Sequence, residues 1–292
     1  MIVTISIVSF NSSKLIKDCL NSILKFKYQN KVQIVVVDNA SSDDSVKVIK
    51  ENFPQVKLIQ SKKNLGFAGG HNLVLKNLKD DFCLILNPDT KIDENVIDPM
   101  IKFMRENLQC GIASCKVLNF NGSLQPNGGD LPNFISIFSW LFNLDILNLP
   151  TLHRNEESYY QKPHSVGWVS GNFMLIKREV ISKIGSLNDE YFMYFEDIDY
   201  CFKATKADFK IMINPEVSIK HLSGGSLDQP KLRQWTGEFR GLIHFYQKQN
   251  FLLGWGVKLL VYLAATLRMV LFFIIGKFNI SLTYAKIIVS LS

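Results

Sequence analysis

An α/β architecture, a mostly parallel sheet with helices on both faces and with amphipathic and apolar helices at the C-terminal end, is what three features of the 292-residue chain predict. Continuous apolar runs alternate with helical spacing through the first hundred residues. Polar side chains collect where those runs end, and past residue 236 the composition turns basic and apolar. Parallel strands joined by helices are buried on both faces, so they read as unbroken apolar runs.

Residues 2–10 are β-rich and form the first predicted strand, and residues 12–26 carry Leu15, Cys19, Leu20 and Ile23 at helical spacing. Residues 32–37 are an apolar strand running into Asp38, 43–52 a short helix, 56–60 a strand and 67–78 a helix. Residues 82–86 are a strand that ends in Asn87-Pro88-Asp89. Ligands bind beyond the carboxyl ends of such strands, which is where Asn11, Asp38, Asn39 and Asp89 fall. From about residue 108 the alternation fades through an Asn/Gly-rich stretch at 119–130 and a mixed apolar stretch at 131–163, and residues 167–226 carry most of the remaining polar motifs.

Hydrophobic residues make up 47% of the chain and charged residues 20%, which excludes wholesale disorder. The net charge of +7 would suit a nucleic-acid binder, but its distribution argues otherwise. No acidic residue follows Glu238, while Arg240, Lys248, Lys258, Arg268, Lys277 and Lys286 do, leaving residues 1–239 at +1. Nucleic acid is therefore not an expected partner. The five cysteines are odd in number and form no CxxC pair, so neither a disulfide framework nor a zinc knuckle is expected; Cys83 and Cys201 are expected in the core and a reducing compartment fits. The N-terminal Met1-Ile2-Val3-Thr4-Ile5 has neither a basic region nor a cleavage signal and reads as strand.

Four segments carry chemistry. Asp38 follows a buried strand directly, where a carboxylate accepts hydrogen bonds from a ribose or a base edge; Ser42 or Asp43 caps the next helix. Asn64-Leu65-Gly66-Phe67-Ala68-Gly69-Gly70-His71-Asn72 puts three glycines at a helix start, allowing close backbone approach, but matches neither a Walker A loop nor the dinucleotide spacing. Asn87-Pro88-Asp89 sets a carboxylate at a strand end, suited to a hard divalent cation or simply to a turn. Phe192-Met193-Tyr194-Phe195-Glu196-Asp197-Ile198-Asp199-Tyr200 concentrates three carboxylates among aromatics, and water exclusion there raises carboxylate basicity.

In this order, together with Gly167-Trp168-Val169-Ser170-Gly171-Asn172 and Lys220-His221-Leu222-Ser223-Gly224-Gly225-Ser226, these segments resemble the family 2 glycosyltransferases of the GT-A fold, in particular the rhamnosyltransferase-like branch of bacterial cell-surface polysaccharide synthesis. The resemblance spans roughly residues 3–226 and implies a GT-A (Rossmann-like) sheet. It assigns Ser9, Asn11 and Asp38 to the base and ribose of the nucleotide. Asn64 and Asn72, with Gly66 and Gly69, would shape the pocket beside it. Asp89 would be the surviving carboxylate of the metal-binding DXD motif, with Asn87 at its first position, and His221 the second protein ligand to Mg²⁺ or Mn²⁺. Trp168 and Gly171 would face the donor sugar or acceptor, and Asp197 would be the general base supported by Glu196 and Asp199. The implied reaction is inverting transfer of a sugar, L-rhamnose from dTDP-L-rhamnose first and UDP-galactose or UDP-galactofuranose next, to a lipid-linked glycan. A nucleotidyltransferase would share the sheet and the metal but leaves the Glu-Asp-x-Asp and Trp segments unexplained. A non-catalytic membrane scaffold would not need Asp197 and Asp89.

The expected organisation is a catalytic domain over 1–235 and a membrane-associating tail over 236–292. Residues 255–275 are long enough to span a bilayer and carry only Lys258 and Arg268 as charges. An Arg at the centre of a span costs about 2.5–3.5 kcal/mol. On a helix, Lys258, Arg268 and Lys277 share one half with Tyr262, Ala265 and Thr266, and Leu260, Val261, Leu267, Leu271 and Ile274 lie largely opposite. That pattern predicts a helix lying in the interface, its cations toward anionic headgroups at the cytoplasmic face of the cell membrane. A buried capping helix or a homo-oligomer contact is the alternative. The apolar stretch 134–149 is expected to touch a lipid-linked acceptor or to cover the site.

Overall fold

The structure, a computed structural model, describes residues 1–144, 147, 149–222 and 230–291. In chain order the first half runs β1 (Ile2–Ser9), α1 (Ser13–Leu24), β2 (Lys31–Asp38), α2 (Ser45–Asn52), β3 (Lys57–Gln60), α3 (Gly66–Leu75), β4 (Phe82–Leu86), β5 (Thr90–Lys91), α4 (Ile97–Glu106) and β6 (Cys110–Leu118). Then follow β7 (Gly128–Gly129), α5 (Phe134–Phe142), β8 (His164–Val166), β9 (Trp168–Val169), β10 (Phe173–Lys177), α6 (Arg178–Ile184), α7 (Glu196–Lys206) and β11 (Lys210–His221). Three helices end the chain: α8 (Pro230–Gln249), α9 (Phe251–Ile274) and α10 (Phe278–Leu291).

The main sheet has the order β3-β2-β1-β4-β10-β6-β11-β5, with β8 on β11. Its first four strands are parallel, β10 is antiparallel to both its neighbours, and β11 is parallel to β6. Each continuous apolar run serves two cores. In β4, Cys83 and Ile85 face the layer containing α3, α6 and α7, whereas Leu84 and Leu86 face the layer containing α1 and α4. Burying one such side chain contributes about 1.5–3 kcal/mol, so a strand of five buried residues resists any polar substitution. All five cysteines are buried thiols.

Register explains why the polar strand ends meet. Ser9 pairs with Asp38 and Asp38 with Gln60, while Ile7 pairs with Leu86, so β1, β2 and β4 terminate along one edge. At the far side, His221 pairs with Thr90 through the short β5.

The three terminal helices are not a separate body. Phe239, Leu242, Val261, Ala264, Ala265 and Ile287 join the same core as α7, and the division expected at 235/236 falls inside α8. The orientation of α9 departs from the sequence expectation. Val261, Ala264 and Ala265 are buried, and Arg268, one turn further on, also turns inward. Its guanidinium donates to the Trp140 carbonyl at 2.8 Å, to Asn143 Oδ1 at 2.7 Å and to the Tyr284 hydroxyl at 3.1 Å. Arg268 is thus committed to α5 and α10, and Lys277 lies past the end of α9. Small side chains decide this: Ala264 and Ala265 let neighbouring helices approach, which leaves the bulky apolar face outside. Leu252 is 77% exposed and Ile274 73%, with Leu259, Leu263, Leu267 and Phe273 also exposed. Among the described residues α9 is the one helix long and apolar enough to cross a membrane, and its apolar window is only 17% buried.

Candidate active site

The expected residues gather in two adjoining clusters at the strand ends. The first is built by β1, β2 and the start of α3. Asp38 is buried, and its Oδ2 accepts the Ser41 N–H at 3.2 Å while Oδ1 has no protein partner. An orphaned carboxylate oxygen at a strand end is costly unless a ligand donates to it. Ser9 bonds to Ser12 through their hydroxyls at 2.7 Å, and Asn11, with φ +47°, accepts the Ser42 N–H at 2.8 Å. Asn64 Oδ1 accepts the Gly66 N–H at 2.9 Å and the Asn39 amide at 3.2 Å. Gly66 sits at φ +73°, where a Cβ would lie 2.3 Å from the Phe192 carbonyl oxygen, so this position requires glycine. Gly69 is ordinary helix. Asn72 is turned away, its amide donating to the Leu187 carbonyl at 2.9 Å and tying α3 to the segment before α7. Neighbouring His71 bonds Ser6 at 2.8 Å, and burial pushes its pKa down to about 3, so it stays neutral.

Asp89, Asn87 and His221 form a compact donor set. His221 Nδ1 contacts Gln125 Oε1 at 3.0 Å, and since that oxygen only accepts, Nδ1 carries the proton. Nε2 then presents a lone pair, 3.0 Å from the Asn87 amide and 3.1 Å from Asp89 Oδ1. Asn87 can donate to Nε2, and an imidazole nitrogen and a carboxylate oxygen this close could both turn toward one cation. The carboxylate suits Mg²⁺ or Mn²⁺, and the imidazole nitrogen beside it favours the transition ion Mn²⁺ over Mg²⁺. No group of three His, Cys, Asp or Glu side chains stands together among the described residues, so substrate oxygens would have to complete the shell. Ser223-Gly224-Gly225-Ser226, which follow His221, lie outside the described residues.

The second cluster lies at the start of α7. Tyr194 and Phe195 both have left-handed backbone, φ +71° and +79°, a cost of about 1–2 kcal/mol for each non-glycine residue. This turn aims Asp197 back toward the strand ends. Its Oδ2 accepts the Gly171 N–H at 3.2 Å and Oδ1 the Ile198 N–H at 2.8 Å. Burial outweighs these two bonds and raises its pKa to about 6, with the Glu238 carboxylate adding to the rise. Glu196 is buried and raised well above the usual carboxylate range, by burial first and by Asp197 next. Asp199 instead pairs with Lys203 at 2.6 Å, on the buried side of α7. Trp168 is 4% exposed with its indole N–H on the Leu152 carbonyl at 2.6 Å, so its ring forms a wall behind the site.

One dipeptide joins the clusters. Gly171 donates to Asp197, while the next residue, Asn172, accepts the Asn87 N–H at 3.3 Å, two residues from Asp89. Asn39, Gln125, Asn172 and Glu238 all serve this arrangement. Asn39 and Asn172 stood within recognisable segments; Gln125 and Glu238 stood in stretches with no pattern to mark them. A separate hollow of about 300 Å³ at the amino ends of β2 and β3, lined by Phe26, Tyr28, Val32 and Gln55 among others, offers no carboxylate or histidine.

A mostly parallel sheet covered on both faces, with polar residues gathered at its strand ends, is the architecture of a GT-A glycosyltransferase. The glycosyl transferase family 2 profile matches residues 4–185, and the chain belongs to that family. It is 24% identical over 211 residues to N-acetylglucosaminyl-diphospho-decaprenol L-rhamnosyltransferase of Mycobacterium tuberculosis, covering 68% of this chain and 69% of that one. It is 28% identical over 212 residues to the low-salt glycan biosynthesis hexosyltransferase Agl10 of Haloferax volcanii, covering 71% and 63% respectively. Among solved structures, the mannosyltransferase PcManGT from Pyrobaculum calidifontis in complex with GDP-Man and Mn²⁺ aligns over 90% of this chain and 72% of that one, with a TM-score of 0.59 and 16% identity.

Proposed function

We propose that this glycosyltransferase moves a sugar, with inversion, from a nucleoside diphosphate to a hydroxyl of a lipid-linked glycan in bacterial cell-surface polysaccharide synthesis. The observation that carries the reading is the Gly171-Asn172 link, which holds a basic carboxylate and a cation-seeking Asp–His pair to one piece of backbone. Asp197 is the general base. Its raised basicity, to about 6, lets it accept the proton of an acceptor hydroxyl at neutral pH while that oxygen attacks the anomeric carbon. The Gly171 and Ile198 amides fix its orientation through both phases of the proton's transfer. Burial, and then the Asp197 carboxylate, raise the Glu196 carboxyl well above the usual range, which opposes a second negative charge beside the base. Asp89 and His221 would hold Mg²⁺ or Mn²⁺, which when bound stabilises charge on the departing diphosphate. Asp38, with its free buried oxygen, receives a donor group of the nucleoside, and Asn64 and Gly66 shape the adjoining wall.

The donor we favour is dTDP-L-rhamnose, supported by the mycobacterial relative, and that relative's decaprenol acceptor supports a polyprenyl diphosphate carrier. The exposed apolar face of α9 and the lack of any acidic residue after Glu238 favour attachment to the cytoplasmic face of the membrane, with residues 236–292 as the anchoring part. The test is diphosphate release by purified protein from a panel of dTDP-, UDP- and GDP-sugars, with farnesyl-diphospho-N-acetylglucosamine as acceptor, with and without Mn²⁺ or Mg²⁺. Acceptor- and metal-dependent release from dTDP-L-rhamnose is expected. Release only from a UDP-hexose would replace the donor, and release from none would overturn the reading.

A further inference from the structure

Helix α5 of the catalytic domain is built inside out. Ser136 and Ser139 are fully buried, whereas Phe134 is 76% exposed and Ile135 52%, with Phe138 on the same outer side. Aromatic rings run along that side: Phe134 stacks on Phe138 with ring centres 6.0 Å apart, and Phe138 meets Phe142 at 4.6 Å. The inward hydroxyl of Ser139 has no hydrogen-bond partner among the described residues. In water the arrangement is unfavourable twice over, because it wets an apolar face and dries a hydroxyl. An apolar medium outside the helix removes the larger of these costs.

α5 is not free to roll over and bury that face. At its start, Asn133 and Ser136 each accept the other's backbone N–H through their side chains, and Ser136 Oγ donates to the Leu131 carbonyl at 2.8 Å. At its end, Arg268 of α9 holds the Trp140 carbonyl and the Asn143 side chain. On the inner side Trp140 packs on His153, ring centres 5.4 Å apart, and His153 on Trp168 at 5.1 Å. The inner face of α5 therefore leads through two rings to the wall behind the site.

α9 repeats the inversion, with Ala264 and Ala265 inside and Leu267 and Leu271 both more than half exposed. Arg268, the residue that holds α5, lies between those two leucines in the chain, so exposed apolar side chains of both helices flank one bonded contact. The charge of this region has one sign. α5 has no charged residue, α9 has Lys258 and Arg268, α10 has Lys286, and Lys277 lies between α9 and α10. Lys258 Nζ stands 5.3 Å from the Trp255 ring centre and 5.8 Å from that of Tyr262, a grouping of cation and amphipathic rings suited to the headgroup level of a bilayer. A second copy of the chain would bring the same positive charge to this surface, whereas anionic lipid brings the opposite one.

We propose that α5 inserts into an anionic lipid bilayer beside α9, so that the catalytic domain is seated in the membrane through its own helix. The inference rests on the proposed attachment of the enzyme to the membrane. It gives the outer rings of α5 a use that the transfer reaction leaves open. Because the inner face of the same helix backs the Trp168 wall, the depth of insertion fixes the height of the site above the lipid. The head of a lipid-linked acceptor has to be met at that height.

The experiment uses the full chain and vesicles of phosphatidylcholine with and without phosphatidylglycerol. All five native cysteines are buried, so Phe138→Cys can be labelled selectively with an environment-sensitive fluorophore; Leu108→Cys, beyond the amino end of β6, is the control. On phosphatidylglycerol vesicles the probe at 138 is expected to shift to the blue and to be quenched by acyl-chain spin labels, while the probe at 108 does neither. The triple variant Phe134→Ser, Ile135→Ser, Phe138→Ser should partition onto these vesicles about tenfold or more weakly, with its melting temperature measured alongside. Wild type that does not bind vesicles would overturn both the attachment and the insertion. Vesicle binding with an unshifted, unquenched probe at 138 would overturn the insertion and leave attachment through the tail intact. A blue shift that grows with protein concentration in the absence of lipid, together with a dimer by light scattering, would also overturn it, because a second copy would then cover the face.

Discussion

Asp89 follows the end of β4 and Asp197 opens α7, both beside the Gly171-Asn172 segment, yet their surroundings are opposites. Asp89 lies against an imidazole nitrogen and a carboxamide, a setting that gathers positive charge. Asp197 lies among Glu196, Glu238 and aromatic side chains, with two backbone amides as its donors. On the proposed mechanism, the difference lets one kind of side chain serve two purposes. A carboxylate that has to hold a cation is supplied with co-ligands, and one that has to take a proton is deprived of counter-charge so that its affinity for the proton rises.

Exchanging the surroundings, or removing either carboxylate, breaks the comparison by amounts that can be ranked. The largest effect belongs to Asp197→Asn, which keeps the shape and the Gly171 contact but cannot accept the proton. Transfer is expected to fall by about 10²–10⁴-fold with nucleotide affinity nearly unchanged, measured by initial rates and calorimetry on the same preparation. Next come Asp89→Ala and His221→Ala, each expected to lower the rate by about 10²-fold at fixed Mn²⁺. Unlike the base variant, both should also weaken metal-dependent dTDP binding. Loss of transfer without loss of metal-dependent binding would remove the pair from cation duty.

A smaller effect sharpens the electrostatic half of the contrast. Because the folded-state pKa of Asp197 is raised to about 6, the base form disappears as pH falls through that value, and the acid limb of the rate profile should lie near it. Stability carries the opposite sign. A raised carboxylate pKa contributes stability below the unfolded value and loses it as pH rises through about 6. The stability of Asp197→Asn relative to wild type should therefore rise by about 1–3 kcal/mol between pH 4 and pH 8. Melting temperatures at the two pH values check it. The smallest effect concerns the tail. Arg268→Ala removes the bonds to Trp140, Asn143 and Tyr284 and should cost about 1 kcal/mol in chemical denaturation, leaving the kinetics of the two carboxylates unaltered.

The sheet was legible because buried strands such as Phe82–Leu86 advertise themselves as unbroken apolar runs, and the strand-end carboxylates follow from where those runs stop. Asp38, Asp89 and Asp197 could be picked out in this way or by resemblance. The partnership of Asp89 with His221 could not be measured from sequence, since it depends on a two-residue strand pairing with the last residue of β11. Gln125 and Glu238 were invisible for the same reason: each acquires a role only when a distant segment folds beside it. The inward turn of Arg268 was misread because α9 is apolar around most of its circumference, so periodicity alone does not choose a face. The sizes of Ala264 and Ala265 chose it.

The central claim, one base and no protein nucleophile, is tested most directly by the anomeric configuration of the transfer product, followed by ¹H NMR in its first minutes. The account predicts a product of configuration opposite to that of the donor from the first turnover. A product that retains the donor's configuration would contradict it, because retention demands a second displacement or a front-face path that Asp197 as sole base does not provide.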